Sequence, residues 1–245
     1  MEGTFWDHLD ELRGCIIRGL VVMIVFGVVA FCLKEPLFEV VLAPSKSDFI
    51  TYRVLGGSAF SIHLMNTGPT EQFMIHLKTS LYAGLLMSSP YIIYILFRFV
   101  SPALYDNERR YAVQVVSSAY LMFILGTLVN YFLIFPLTVK FLGTYQVSPE
   151  VSNMLTIQSY TDTLISMSLV IGLVFELPVL SWLSAMMKVL KSAYMVSYRK
   201  HAMVAILVLA AIITPTTDAF TMFVVALPIW LLYEVSILIV RITYQ

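Results

Sequence analysis

The sequence predicts an all-α integral membrane protein with six transmembrane helices, both termini cytoplasmic, and short fifth and sixth spans. Three observations carry that prediction. The chain of 245 residues is 59% hydrophobic and 12% charged, against about 45–50% and about 25% in soluble domains. Its apolar residues form long continuous runs, not the alternation of a transmembrane barrel. Its lysines and arginines gather in alternate connections.

A helix crosses about 30 Å of hydrocarbon with about 20 mostly apolar residues. The runs place spans near 15–33, 73–97, 111–135, 159–182, 202–214 and 219–240. The fifth is so short that it must tilt little, thin the bilayer or be shielded by neighbours. TPTTD, residues 214–218, is the whole turn between the last two, which makes them an antiparallel pair.

With the N-terminus inside, the inner segments hold ten Lys and Arg, from Arg13 to Arg241. The outer segments hold four, Lys34, Lys46, Arg53 and Lys140, and Lys78 falls within a span. The positive-inside rule then puts both termini in the cytoplasm. Residues 1–245 read as one six-span domain. Residues 1–14 form a cytoplasmic interfacial helix, 34–71 a periplasmic cap loop, 98–110 the first cytoplasmic loop and 183–201 the second. Within the cap, YRVL and FSIHL flank glycines and predict a small hairpin.

The start carries Glu2, Asp7, Asp10 and Glu11, where a cleavable signal would be basic, so none is expected. Cys15 and Cys32 lie about 25 Å apart on one helix and cannot pair. Net charge is zero, which points to no nucleic acid. There is no HExxH, GxSxG, Walker loop or zinc-type cluster, and His8, His63, His76 and His201 are scattered. The chain is therefore expected to be no enzyme, with no catalytic residue, metal or cofactor.

The informative residues are charges in or beside the spans, which are costly and need a reason. In FWDHLDELRGCIIRGL, Phe5, Leu9, Leu12 and Ile16 make one apolar face, and Glu11 projects from the polar side beside Arg13. FRFVSPALYDNERR, residues 97–110, joins two spans. Pro102 shapes its turn, Phe99 offers an apolar surface, and Arg109 and Arg110 suit topology determinants. Glu108 fits either a helix cap or a functional charge. Lys78 and His76 lie near the outer end of span two, with Glu71 within reach of Lys78. Glu176, in FELPV, and Glu234, in LLYEVS, lie within spans four and six. Each fits an interior acid that pairs with a polar group or is kept neutral by burial. Asp162 suits an interface.

The order and spacing of these segments resemble the TatC family, the six-span core subunit of the twin-arginine protein translocase. The resemblance is carried by HLDELR at 8–13, LAP at 42–44, PTEQF at 69–73, FRFVSPALYDNERR at 97–110 and FELPV at 175–179. YRKHAMV at 198–204, IITP at 212–215 and ALPIWLLYEVSI at 226–237 complete it.

The resemblance implies binding of twin-arginine signal peptides and proton-motive-force-driven export of folded proteins across a bacterial plasma membrane. It implies a cytoplasmic signal site at Glu11 and Glu108, with Leu12, Arg13, Phe99 and Pro102. Paired arginines favour carboxylates because their planar fork can bond both oxygens. Pro44 and Glu71 match family positions in the periplasmic loop. Glu176, Thr214 and Asp218 match positions of assembly, where single-span TatA- and TatB-type subunits dock. Further copies of the subunit and membrane lipid complete the implied partners. The chain departs from the family's Pro-Pro-Asp with Pro215-Thr216-Thr217-Asp218, and a glutamine common shortly after is absent. The alternative is a proton-coupled secondary transporter of a small solute built on Glu176, Glu234 and Lys78, which predicts inverted repeats.

Overall fold

The computed structural model describes residues 5–54, 64–100, 112–145, 154–214 and 218–243. Eleven helices occur among them. The first four are α1 (Phe5–Cys32), α2 (Lys34–Leu42), α3 (Ile50–Val54) and α4 (Glu71–Val100). Next come α5 (Ala112–Val129), a π turn (Asn130–Ile134), α6 (Phe135–Thr144), α7 (Ile157–Val174) and α8 (Leu177–Met186). The last are α9 (Ser192–Ser197), α10 (Arg199–Ile213) and α11 (Ala219–Thr243).

Five stretches are long and apolar enough to cross a membrane: Leu9–Cys32, Glu71–Phe99, Val113–Thr144, Ile157–Met186 and Ala219–Thr243. The predicted fifth span is α10, with 15 residues, below the usual length of about 20. The expectation of a short sixth span is corrected, because α11 has 25 residues. It begins beside Asp218, runs through Pro228 without ending there, and continues past Arg241. The predicted hairpin is also corrected. Tyr52, Arg53 and Val54 belong to helix α3. Leu64 and Met65 form a two-residue strand that pairs in parallel with Leu155 and Thr156. The rest of that predicted hairpin, residues 55–63, lies outside the described residues.

The chain divides into two compact units, one of residues 1–37 and 76–121, the other of 38–75 and 122–245. In the first, α1 and α4 run antiparallel. Cys15 Sγ faces the Ile95 carbonyl, Gly19 meets Ile95 and Ile92, Gly27 meets Leu81, and Phe31 stacks on His76 at 4.0 Å. The approach is closest at Gly84, where a Cβ would lie 2.5 Å from the Met23 carbonyl oxygen. Glycine at that point is a packing requirement, as in the small-residue contacts of membrane helices.

The second unit centres on Ile134, Phe135, Tyr160, Met167, Ile171, Val225 and Ile229, all essentially inaccessible. Phe135 and Tyr160 meet edge to face at 5.0 Å. Asn130 donates to Ser168 Oγ at 2.8 Å and links the π turn to α7. A smaller cluster of Ala185, Met195, Ile237 and Val240 joins α8, α9 and α11.

Prolines and hydroxyls work together at three points in these helices. A proline has no N–H for the carbonyl four residues before it, and hydrocarbon offers no water in its place. Pro90 deprives Leu86, and Ser89 Oγ donates to that carbonyl at 2.7 Å. Pro136 deprives Phe132, whose carbonyl accepts from Thr51 Oγ1. Pro44 has no N–H for Val40, whose carbonyl accepts from the Tyr131 hydroxyl at 2.7 Å. The last two cases are reciprocal. The cap segment serves the helix broken by Pro136, and that helix serves the cap broken by Pro44. Tyr52 bridges both sites. Its hydroxyl lies 2.8 Å from the Pro44 carbonyl and 3.1 Å from that of Pro136.

Candidate binding site

On the first unit, Glu11 lies one turn before Cys15, the α1 residue that faces Ile95. Phe99 lies one turn after Ile95. Carrying the antiparallel register one turn further therefore sets Glu11 level with Phe99, at the end where α1 begins and α4 finishes. Glu11 and Arg13 are exposed, and Leu12 and Phe99 are half-buried. A carboxylate beside an aromatic ring at a helix end can receive a guanidinium and leave apolar surface for the chain that carries it. Arg18 lies deeper in α1. Its Nε donates to the Gly14 carbonyl at 3.0 Å, so its side chain folds back toward the same end, as snorkelling requires. Pro102 and Glu108 lie outside the described residues, as do Arg109 and Arg110.

On the second unit, Glu71 starts α4 and is buried. Its carboxylate accepts the N–H groups of Thr67 at 2.8 Å, Gly68 at 2.9 Å and Gln158 at 3.2 Å, and the Thr67 hydroxyl at 2.9 Å. Gln158 stands in the first turn of α7. One carboxylate thus joins the starts of two membrane helices, where backbone N–H groups lack helical partners and a negative charge is favoured. The sequence pattern offered Lys78 as a neighbour and could not reveal Gln158, 87 residues distant. Pro44 is buried, and its carbonyl is held by Tyr52.

Glu176 occupies the break between α7 and α8. Its N–H bonds to Leu173 O in a tightened turn, and Pro178 has no N–H to give the Val174 carbonyl. The carboxyl is half-buried and caps no backbone group of α8. Nearby, Gly126 packs on Phe175 and Gly172 on Phe123, which fixes α5 against α7. Thr214 is buried, and its hydroxyl bonds to Ala210 O at 3.0 Å. Asp218 caps α11, accepting Thr221 N at 2.8 Å and Thr221 Oγ1 at 2.6 Å. Glu234, singled out as an interior acid, pairs with Arg199 at 2.7 Å. The separation of 35 residues hid that partner from the pattern. Among the described residues, no cluster of His, Cys, Asp and Glu could hold a metal.

A family model described as "Sec-independent protein translocase protein (TatC)" matches residues 7–228. The chain belongs to the TatC family. A TatC from Blattabacterium sp. subsp. Periplaneta americana (strain BPLAN) is 32% identical over 253 residues, covering 97% of this chain and 95% of its own. One from Koribacter versatilis (strain Ellin345) is 35% identical over 234 residues, covering 96% and 83%. A crystal structure described as that of the twin arginine translocase receptor TatC superposes with a TM-score of 0.81 at 30% identity, covering 97% of this chain and 100% of the other. The sequence resemblance to TatC is thereby established for nearly the whole chain. The chain is a multi-pass membrane protein of the Sec-independent translocase.

Proposed function

We propose that this TatC-family chain is the signal receptor of a twin-arginine translocase, binding the paired arginines of precursor signal peptides at Glu11 and Glu108. Phe99, Pro102 and Leu12 line the site, and Arg13 helps to place the carboxylates. The observation that carries the reading is the antiparallel register of α1 and α4, which sets Glu11 level with Phe99 at one end of the unit. In this reading α10 is the fifth of six spans, both termini are cytoplasmic, and export of folded cargo across the bacterial inner membrane uses the proton-motive force. Single-span TatA- and TatB-type subunits dock at Glu176, Thr214 and Asp218, with further TatC copies in the assembly. Pro44 and Glu71 hold the periplasmic loop. The chain acts by binding, without catalytic residue or cofactor. A small-solute carrier is disfavoured by family membership and by the neutralisation of Glu234 by Arg199.

The experiment is replacement of the gene with Glu108→Ala and Glu11→Ala versions. A folded twin-arginine reporter should then remain in the cytoplasm while the variant protein accumulates in the membrane. Normal export by both variants would overturn the assignment.

A further inference from the structure

The connection from α8 through α9 into α10 has features that signal binding and subunit docking leave unused. From Leu177 to Thr217 the sequence contains no Asp or Glu, yet it carries Lys188, Lys191, Arg199 and Lys200. All four are exposed. Among the described residues only Arg199 of these has a carboxylate partner, Glu234. Three ammonium groups are therefore left facing outward from one short connection.

The connection is fixed in place. Met195 is buried with Ala185, Ile237 and Val240, and the Tyr233 hydroxyl holds the Met195 carbonyl at 2.8 Å. Lys188 ends α8 in the left-handed region, with φ 58°. Val189 N closes the helix on Ser184 O at 3.0 Å. Glycine is the usual residue there because a Cβ is strained. A lysine is held in a costly backbone conformation that aims the chain away from the helix, and such outliers gather at working sites.

The cations are interleaved with exposed apolar and aromatic side chains. Val189 is 72% exposed, and Tyr194 and Tyr198 are also well exposed. Tyrosine beside aliphatic surface and lysine is the composition of a bilayer interface, where rings sit at headgroup level and ammonium groups meet phosphate.

We propose that Lys188, Lys191 and Lys200 form a binding surface for the phosphate of an anionic phospholipid headgroup, with Val189, Tyr194 and Tyr198 entering the adjoining interface. Free phosphate is also an anion but offers nothing to those apolar side chains, so the membrane lipid is the occupant. With no Asp or Glu between Leu177 and Thr217, the segment itself holds no like charge to repel the headgroup, and the nearby Glu234 is paired with Arg199.

Trp182, on α8 six residues before Lys188, reports on this surface. The full chain carrying Trp6→Phe and Trp230→Phe is reconstituted into phosphatidylcholine vesicles that contain either brominated phosphatidylglycerol or the same fraction of brominated phosphatidylcholine. Bromine quenches Trp182 on contact. The expected result is enrichment of the anionic lipid by about fivefold or more, the ratio one lysine near a charged surface supplies. The excess should vanish in Lys188→Gln/Lys191→Gln/Lys200→Gln and persist in the corresponding triple arginine variant. Inorganic phosphate should not displace it. Equal quenching by the two lipids in the lysine-bearing protein overturns the proposal and needs no variant to fold. Displacement by inorganic phosphate overturns the lipid as occupant, and an excess retained by the glutamine variant overturns the three lysines.

Discussion

Tyr131 gives its hydroxyl to the carbonyl of Val40 at 2.7 Å, an acceptor that Pro44 has no N–H to serve. Thr51 makes the matching gift to Phe132, the carbonyl orphaned by Pro136. Two proline breaks in separate segments are thus repaired by hydroxyls that each segment lends the other. In water such repairs contribute little, because solvent takes up a lost bond. Beside hydrocarbon the unpaired carbonyl carries its desolvation cost.

Thr51→Val and Ser89→Ala should each destabilise the protein by about 1–3 kcal/mol, the cost of a buried acceptor left without a donor. Ser166→Ala, which removes an exposed hydroxyl bonded to Thr163 O, should cost much less. Thermal unfolding of the detergent-purified variants, side by side, checks the difference. Equal midpoints for all three would refute the repair account.

Gly84 and Gly14 make a matched pair on α4 and α1. A Cβ at Gly84 would lie 2.5 Å from Met23 O and 2.6 Å from Gly27 N. Those are backbone atoms, which cannot turn aside. At Gly14 the nearest atom is 3.7 Å away and belongs to the Arg18 side chain. Gly84→Ala should therefore lose about 1–3 kcal/mol through overpacking. Gly14→Ala should be neutral or gain up to about 1 kcal/mol from helix propensity. Denaturant midpoints for the two substitutions would decide this.

The Glu71 carboxylate takes four donors, three from the loop before α4 and one from the start of α7. Glu71→Gln keeps the shape but loses the charge and turns one acceptor into a donor that faces other donors. A loss of stability is expected, because three backbone N–H groups and one hydroxyl lose an ionised acceptor. Limited proteolysis should also cut faster near residues 64–71. A variant as resistant as the native chain would show that the knot contributes nothing.

Burial pushes the Tyr52 phenol above its ordinary value. A group whose folded pKa is raised contributes stability that is complete below the unfolded value, about 10 for tyrosine, and lost as pH rises past it. The native protein should therefore lose stability more steeply above about pH 10 than Tyr52→Phe does. Unfolding midpoints across an alkaline series test this, and parallel curves would count against it.

Much of the architecture was legible in the chain. Long apolar runs and the segregation of lysine and arginine are properties of composition, so spans one to four and span six fall near the long apolar helices of the structure. The misjudged pieces depended on contacts distant in sequence. YRVL flanks glycines and so suggests one arm of a hairpin, yet Thr51 and Tyr52 must both reach helix carbonyls around Pro44 and Pro136, and a helical turn lets them. The sixth span, expected to be short, runs for 25 residues, although its expected bounds of 219–240 lie close to those of α11. For the site, HLDELR and FRFVSPALYDNERR singled out Glu11 and Phe99, and the helix register places them at one level. The partners of Glu71 and Glu234 were invisible, since neither Gln158 nor Arg199 bears any local pattern that points to an acid so far along the chain.

Binding of a synthetic twin-arginine signal peptide to the purified protein in lipid nanodiscs tests the central claim most directly, measured for the native chain, Glu11→Ala, Glu108→Ala and the double variant. Each single substitution should weaken binding roughly tenfold or more, as expected when one arginine loses its carboxylate. A peptide with both arginines changed to lysine should bind the native chain comparably poorly, because lysine cannot form the bidentate pair. Native-like affinity in the folded double variant would contradict the account.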